Sequence, residues 1–194
     1  DGGVVPLVVT TWYVSTTGND ANSCTTTGSP CLTINGAIGK AAVSGDTIKV
    51  ASGTYTGTSF EVVLIDKSVT LSGGWNTSFA TQSGMSTIDG QGVRRGVTVN
   101  NSVIANIENL IVENGFNSDQ GGGVFNTGDL TITNSIIRAN KTSLGYPSGE
   151  GGGIWSGWQS FSVTGGMLTL NHTSVINNVA DRGGGISNRQ NSFD

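Results

Sequence analysis

The chain has 194 residues, 35% hydrophobic and only 11% charged, which suffices to bury a core and fits one elongated domain. Its 31 glycines accompany just 3 prolines, which excludes collagen and a disordered Pro/Gly linker, so the glycines must serve ordered turns. Nine Lys and Arg against thirteen Asp and Glu give a formal net charge of −4 with no basic run, which excludes the electrostatic footprint of a nucleic-acid binder.

The first segment, 1–11, is apolar and β-prone around Val4, Val5, Leu7, Val8 and Val9, interrupted by Pro6. It is too short to cross a bilayer, and it is read as a strand that pairs either with its own domain or with a neighbouring molecule. With neither a membrane-spanning run nor a basic-then-apolar leader, the chain reads as a secreted mature form whose leader has been removed. Cys24 and Cys31 follow in a loop rich in Thr, Ser and Gly. A local disulfide is the favoured reading and would contribute about 2–3 kcal/mol outside a reducing compartment. Two free thiols are the alternative, while Cys-x6-Cys with a distant lone His172 is poor zinc spacing.

Leu32 to Val43 is the one helical candidate, with Ile34, Ala37, Ile38, Ala41 and Ala42 on one face. Strands are expected at Asp46–Ala51, Val62–Ile65, Val69–Ser72, Ser86–Asp89 and Gly96–Val99, where apolar and polar residues alternate between turns. Repeats then become explicit. Gly121-Gly-Gly-Val-Phe-Asn126 recurs at Gly151 and Gly183, and Leu130 to Asn140 recurs at Leu168 to Asn178, with a weaker copy at Ile107 to Asn114. A unit of two or three short strands cannot close its own core, so consecutive units must stack in parallel as an all-β solenoid, with the helix as N-terminal cap. The Gly triplets are expected at corners that need positive φ, and Asn140 and Asn178 at corners of left-handed backbone. The expected layout is an extension at 1–11 and a single domain at 12–194. Within that domain lie a cap region at about 12–45, irregular turns at about 46–104 and Gly-Gly-Gly turns at about 105–194. No cap is read before Asp194, so the last turn is either incomplete or covered by something else.

Trp12 to Asp20, Cys31 to Ile38, Gly45 to Tyr55, Leu71-Ser-Gly-Gly-Trp75 and Thr87 to Gly92, together with the Gly-Gly-Gly turns, resemble bacterial extracellular right-handed parallel β-helix repeat proteins of the pectate-lyase-like superfamily. Surface proteins with choice-of-anchor domains and polymorphic outer-membrane adhesins belong to the same likeness. The resemblance covers nearly the whole chain and implies a right-handed parallel β-helix, exported to the cell surface. Activity does not follow, because that superfamily holds lyases, hydrolases, esterases, adhesins and structural proteins.

A uronate lyase needs clustered acidic Ca²⁺ ligands beside an Arg or Lys base, and a glycosidase needs paired carboxylates. The acids here are scattered singly, the best group being Asp89 with Arg94 and Arg95 in a Gly-rich turn, where an Asx turn is the plainer role for Asp89. No cofactor is expected, and calcium has no motif. His172 aligns with Asn134 and Asn109, which reads as a polar ladder rather than a catalytic or metal site. Tyr146, Trp155 and Trp158 either form a platform for sugars or a protein partner, or pack over the wall. Asn76, Asn100, Asn140 and Asn171 are glycosylation sequons if the host glycosylates. The leading expectation is therefore a non-catalytic extracellular structural protein, adhesive and self-assembling, with surface glycans and other copies of itself as partners. A polysaccharide lyase or hydrolase, or a carbohydrate-binding module, is the alternative.

Overall fold

The computed structural model describes residues 8–42, 44–145, 149–157 and 166–189. In chain order the elements are β1 (Thr11–Val14), α1 (Ile34–Lys40), β2 (Asp46–Ala51), β3 (Thr54–Tyr55), β4 (Glu61–Ile65), β5 (Val69–Trp75), β6 (Ser86–Asp89), β7 (Arg95–Val99), β8 (Ile104–Glu108) and β9 (Leu110–Glu113). They continue with β10 (Phe116–Asn117), β11 (Val124–Asn126), β12 (Asp129–Thr133), β13 (Ile136–Arg138), β14 (Lys141–Thr142), β15 (Ile154–Gly157), β16 (Met167–Asn171), β17 (Ser174–Ile176) and β18 (Ile186–Arg189).

The protein is mostly β, with parallel sheets and one helix among the described residues. The first sheet runs β1-β2-β5-β8-β12-β16, the second β3-β6-β9-β13-β17 and the third β4-β7-β11-β15-β18, with a two-stranded sheet β10-β14 beside them. From β2 onward the chain visits the first, second and third sheets in that order and then begins again. The repeats read in the sequence are the register itself: Val124 pairs with Ile154 and Ile154 with Ile186, while Leu130 pairs with Leu168.

Alternation along each strand sends one set of side chains inward, and the register stacks them into columns. Ile48, Leu71, Ile107 and Ile132 form one, Ile88, Val112 and Ile137 a second, and Val63, Val97, Val124 and Ile154 a third, all buried. Each such side chain contributes about 1.5–3 kcal/mol of transfer free energy. At the last turn the columns emerge: Ile186 is 38% exposed where Ile154 is fully buried.

The first end is closed by three devices. Tyr13 N–H donates to Cys24 O at 2.8 Å and Ser15 N–H to Cys31 O at 2.9 Å, so the loop closed by the Cys24–Cys31 disulfide covers the outer edge of β1. Thr33 caps α1 by accepting from Gly36 N–H at 2.9 Å, and Asp20 accepts from Leu32 N–H and Thr33 N–H at 2.9 Å each. Asn35 stands in for a backbone unit at the edge of β4, donating to Val62 O at 3.1 Å and accepting from Leu64 N–H at 3.0 Å. The helix is shorter than the periodicity suggests: the backbone leaves helical geometry at Ala41, and Lys67 Nζ donates to the end carbonyls Gly39 O and Ala41 O at 2.8 and 2.6 Å. Ala42, expected on its buried face, is exposed.

The turns between sheets correct two expectations. Only the first glycine of each triplet needs positive φ: Gly121 at 61°, Gly151 at 61° and Gly183 at 58°. The next two allow close approach instead, since a Cβ on Gly122 would lie 2.2 Å from Lys141 O and one on Gly123 2.5 Å from Gly153 O. The left-handed residues near Asn140 and Asn178 are their predecessors, Ala139 and Asn177. Asn140 and Asn178 themselves turn inward, where they serve as hydrogen-bonding side chains.

Candidate functional site

The turn from β6 into β7 shapes the surface at the corner between the second and third sheets. Asp89 Oδ1 accepts from Gln91 N–H at 2.8 Å, an Asx turn that lets Gln91 and Gly92 take positive φ. The chain then projects Val93 outward, 66% exposed, and lays Arg94 along the surface, with Nε donating to Ser59 O at 3.2 Å and Nη1 to Gln91 Oε1 at 2.6 Å. Phe60, 63% exposed, precedes β4 on one side. On the other, Phe116 N–H donates to Arg94 O at 2.8 Å, and Lys141 Nζ lies 5.6 Å from the Phe116 ring centroid. Between them is an open groove of about 280 Å³ lined by Ser59, Phe60, Val93, Arg94, Phe116, Asn117 and Ser118.

Behind the groove, Arg95 points into the wall. Its Nε donates to Gly121 O at 2.9 Å and Nη2 to Gln120 O at 2.8 Å, and the guanidinium sits 4.5 Å from the Phe125 ring centroid and 5.2 Å from that of Phe60. Burial lowers its pKa to about 10, although the negative charges of Glu61 and Asp119 hold it up. Phe125 in turn stacks on Trp155, whose Nε1 donates to Glu150 Oε2 at 3.4 Å. Glu150 pairs with Arg182 at 3.6 Å and with Arg189.

This geometry separates Asp89, Arg94 and Arg95, the best acid and base group in the sequence, and gives Asp89 the Asx turn expected as its plainer role. Among the described residues no hydrogen bond or ion pair joins Asp89 to Arg94 or Arg95: Asp89 serves its turn and accepts from Asn114 Nδ2 at 3.1 Å, and the two arginines leave the chain in different directions. Trp155 is 1% exposed and so is no platform; its ring is consumed by the stack. Tyr146 and Trp158 lie outside the described residues, as do Val4, Val5 and Leu7. Val8 and Val9 are 77% and 55% exposed, and pairing begins beyond them, with Thr10 N–H donating to Asp46 Oδ1 and β1 lying on β2.

Asn109, Asn134 and His172 do stack, as the residues following the paired Glu108, Thr133 and Asn171. Their shared property is positive φ, 53°, 47° and 48°, at the bend from first to second sheet, and among the described residues their side chains make no ladder of hydrogen bonds. That ladder exists at Asn140, whose Nδ2 donates to Asn178 Oδ1 and Val112 O at 3.0 Å each. Asn140 is fully buried, so its sequon is closed to a glycan; Asn76, Asn100 and Asn171 are exposed. No group of three or more His, Cys, Asp or Glu able to hold a metal occurs among the described residues, and no helix among them is long and apolar enough to cross a membrane.

Phe60, Val93 and Phe116 were not singled out by composition or repeat. For Phe60 and Val93 the signal is an apolar residue isolated within a Ser- or Gly-containing turn, where alternation gives it no inward position; Phe116 lies in the two-residue strand β10 after Gly115. Comparison with family models, with curated proteins and with solved structures returns no match for this chain.

Proposed function

We propose that the protein is a right-handed parallel β-helix of the extracellular space or cell surface, and that it works without catalysis as an adhesive scaffold. The cyclic visiting order of three parallel sheets supports the solenoid, and the motif resemblance supports its hand and its export. The disulfide agrees with an oxidising compartment. The observation that carries the adhesive reading is the groove in which Phe60 and Val93 are exposed and Phe116 is half-buried, beside which the carboxylates of Asp89, Glu113 and Glu61 are already committed. Asp89 holds a turn, Glu113 pairs with Arg138 at 2.7 Å, and Glu61 accepts from Thr98 Oγ1 at 3.0 Å.

The lyase alternative would require acids beside an Arg or Lys base, and Asp89 and Arg95 turn apart. The test is incubation of the full chain with uronate polymers and cell-surface preparations, measuring both retention and bond cleavage. Retention without cleavage is expected; cleavage lost in Asp89→Asn or Arg95→Lys would overturn the proposal.

A further inference from the structure

The groove has a charge pattern of its own. Arg94 lines the groove together with Phe116, and Lys141, opposite Phe116 in the β10·β14 pairing, holds its Nζ 5.6 Å from the Phe116 ring centroid at the groove's margin. Neither cation carries an ion pair among the described residues, although the chain holds an excess of acids. Of the nearby carboxylates, Glu113 pairs with Arg138, Asp89 serves its own turn and Glu61 accepts from Thr98 Oγ1. Arg94 is moreover held in place by Ser59 O and Gln91 Oε1, so less side-chain entropy is lost when a ligand engages it.

From this complementarity we infer that the groove takes an acidic peptide segment of a partner protein, one that sets an apolar side chain between Phe60, Val93 and Phe116 and carboxylates against Arg94 and Lys141. This rests on the adhesive reading and names its partner class. Two cations without an ion pair, one lining the groove and one at its margin beside Phe116, match alternating acidic and apolar side chains, whereas a neutral glycan would leave both charges unused. A concave site also suits a side chain better than a membrane surface, which is engaged by protruding residues.

The probe is a short labelled peptide alternating Glu and Phe, titrated into the full chain by fluorescence anisotropy. The same peptide with Lys in place of Glu and a uronate oligosaccharide are run in parallel. The Glu peptide should bind, should weaken with rising ionic strength, and should bind roughly tenfold more weakly to an Arg94→Glu, Lys141→Glu variant, as expected for two rim charges reversed. Lys141→Glu alone, at an exposed side chain, should reproduce part of the loss if the double variant does not fold. Equal binding of the Lys peptide, unchanged binding in the charge-reversed variants, or no peptide binding at all would overturn the inference. Binding of the oligosaccharide alone, or of cells through a Phe60-dependent contact with no peptide affinity, would overturn it while leaving the adhesive reading standing. Cell binding that survives Phe60→Ser would remove that reading too.

Discussion

Phe125 lies on Trp155 with ring centroids 4.8 Å apart and planes 8° from parallel, each ring supplied by the same position of consecutive turns. Arg95 closes the stack from one side and Glu150 from the other, so side chains with the look of a binding or catalytic set form a brace along the third sheet. Trp155→Ala should therefore cost about 3–5 kcal/mol, as for other large buried aromatics, and lower the denaturant midpoint. Retention of the midpoint would show that the ring is dispensable to the wall.

Asn140 should be as sensitive for a different reason. Its Oδ1 accepts from Gly115 N–H at 2.7 Å and its Nδ2 serves Val112 O and Asn178 Oδ1 inside the protein. Asn140→Ala leaves buried backbone groups unpaired at about 1–3 kcal/mol each, whereas Asn109→Gly, at a left-handed bend with no side-chain bond, should change stability by less than about 1 kcal/mol. Urea titration of the two variants tests the contrast.

Reduction of the Cys24–Cys31 bond opens a short loop that covers the edge of β1. A Cys24→Ser, Cys31→Ser protein should lose about 2–3 kcal/mol, and amide exchange should rise first at Tyr13 and Ser15, whose N–H groups donate to that loop.

Alkaline pH should act through Tyr55. Burial raises its phenol above the ordinary value of 10.0, the backbone of Thr16 offsetting this in part, and its hydroxyl donates to Ala51 O at 2.8 Å. The unfolded chain loses this proton first, so the group's contribution is complete below about pH 10 and declines as pH rises above it. Arg95 has the opposite sign, burial lowering its guanidinium from the ordinary arginine range to about 10. In Tyr55→Phe the alkaline decline should be smaller than in the native chain, as read from thermal midpoints across pH 9 to 11.

The strand positions were legible because alternation and register are the same information: Val124, Ile154 and Ile186 share a place in the repeat because they share a column. The disulfide was legible from loop composition around Cys24 and Cys31. Side-chain direction at the turns was not. The pattern around Ala139-Asn140 cannot say which of two neighbours takes the left-handed backbone, since Asn favours that conformation and here Ala adopts it. Arg94 and Arg95 are likewise adjacent in sequence, and only the start of β7 between them decides that one lies on the surface and the other under Phe60 and Phe125. The groove was hidden for the same reason, being assembled from three turns of the chain.

Adhesion through that groove is tested most directly by equilibrium binding of the labelled full chain to cell-surface preparations. A Phe60→Ser, Val93→Ser variant is compared with Ile104→Ser, a control at an exposed residue of the first sheet. The account predicts at least roughly tenfold weaker binding for the groove variant, the loss expected when two apolar anchors are removed, with the control unchanged. Equal binding by all three proteins would contradict it.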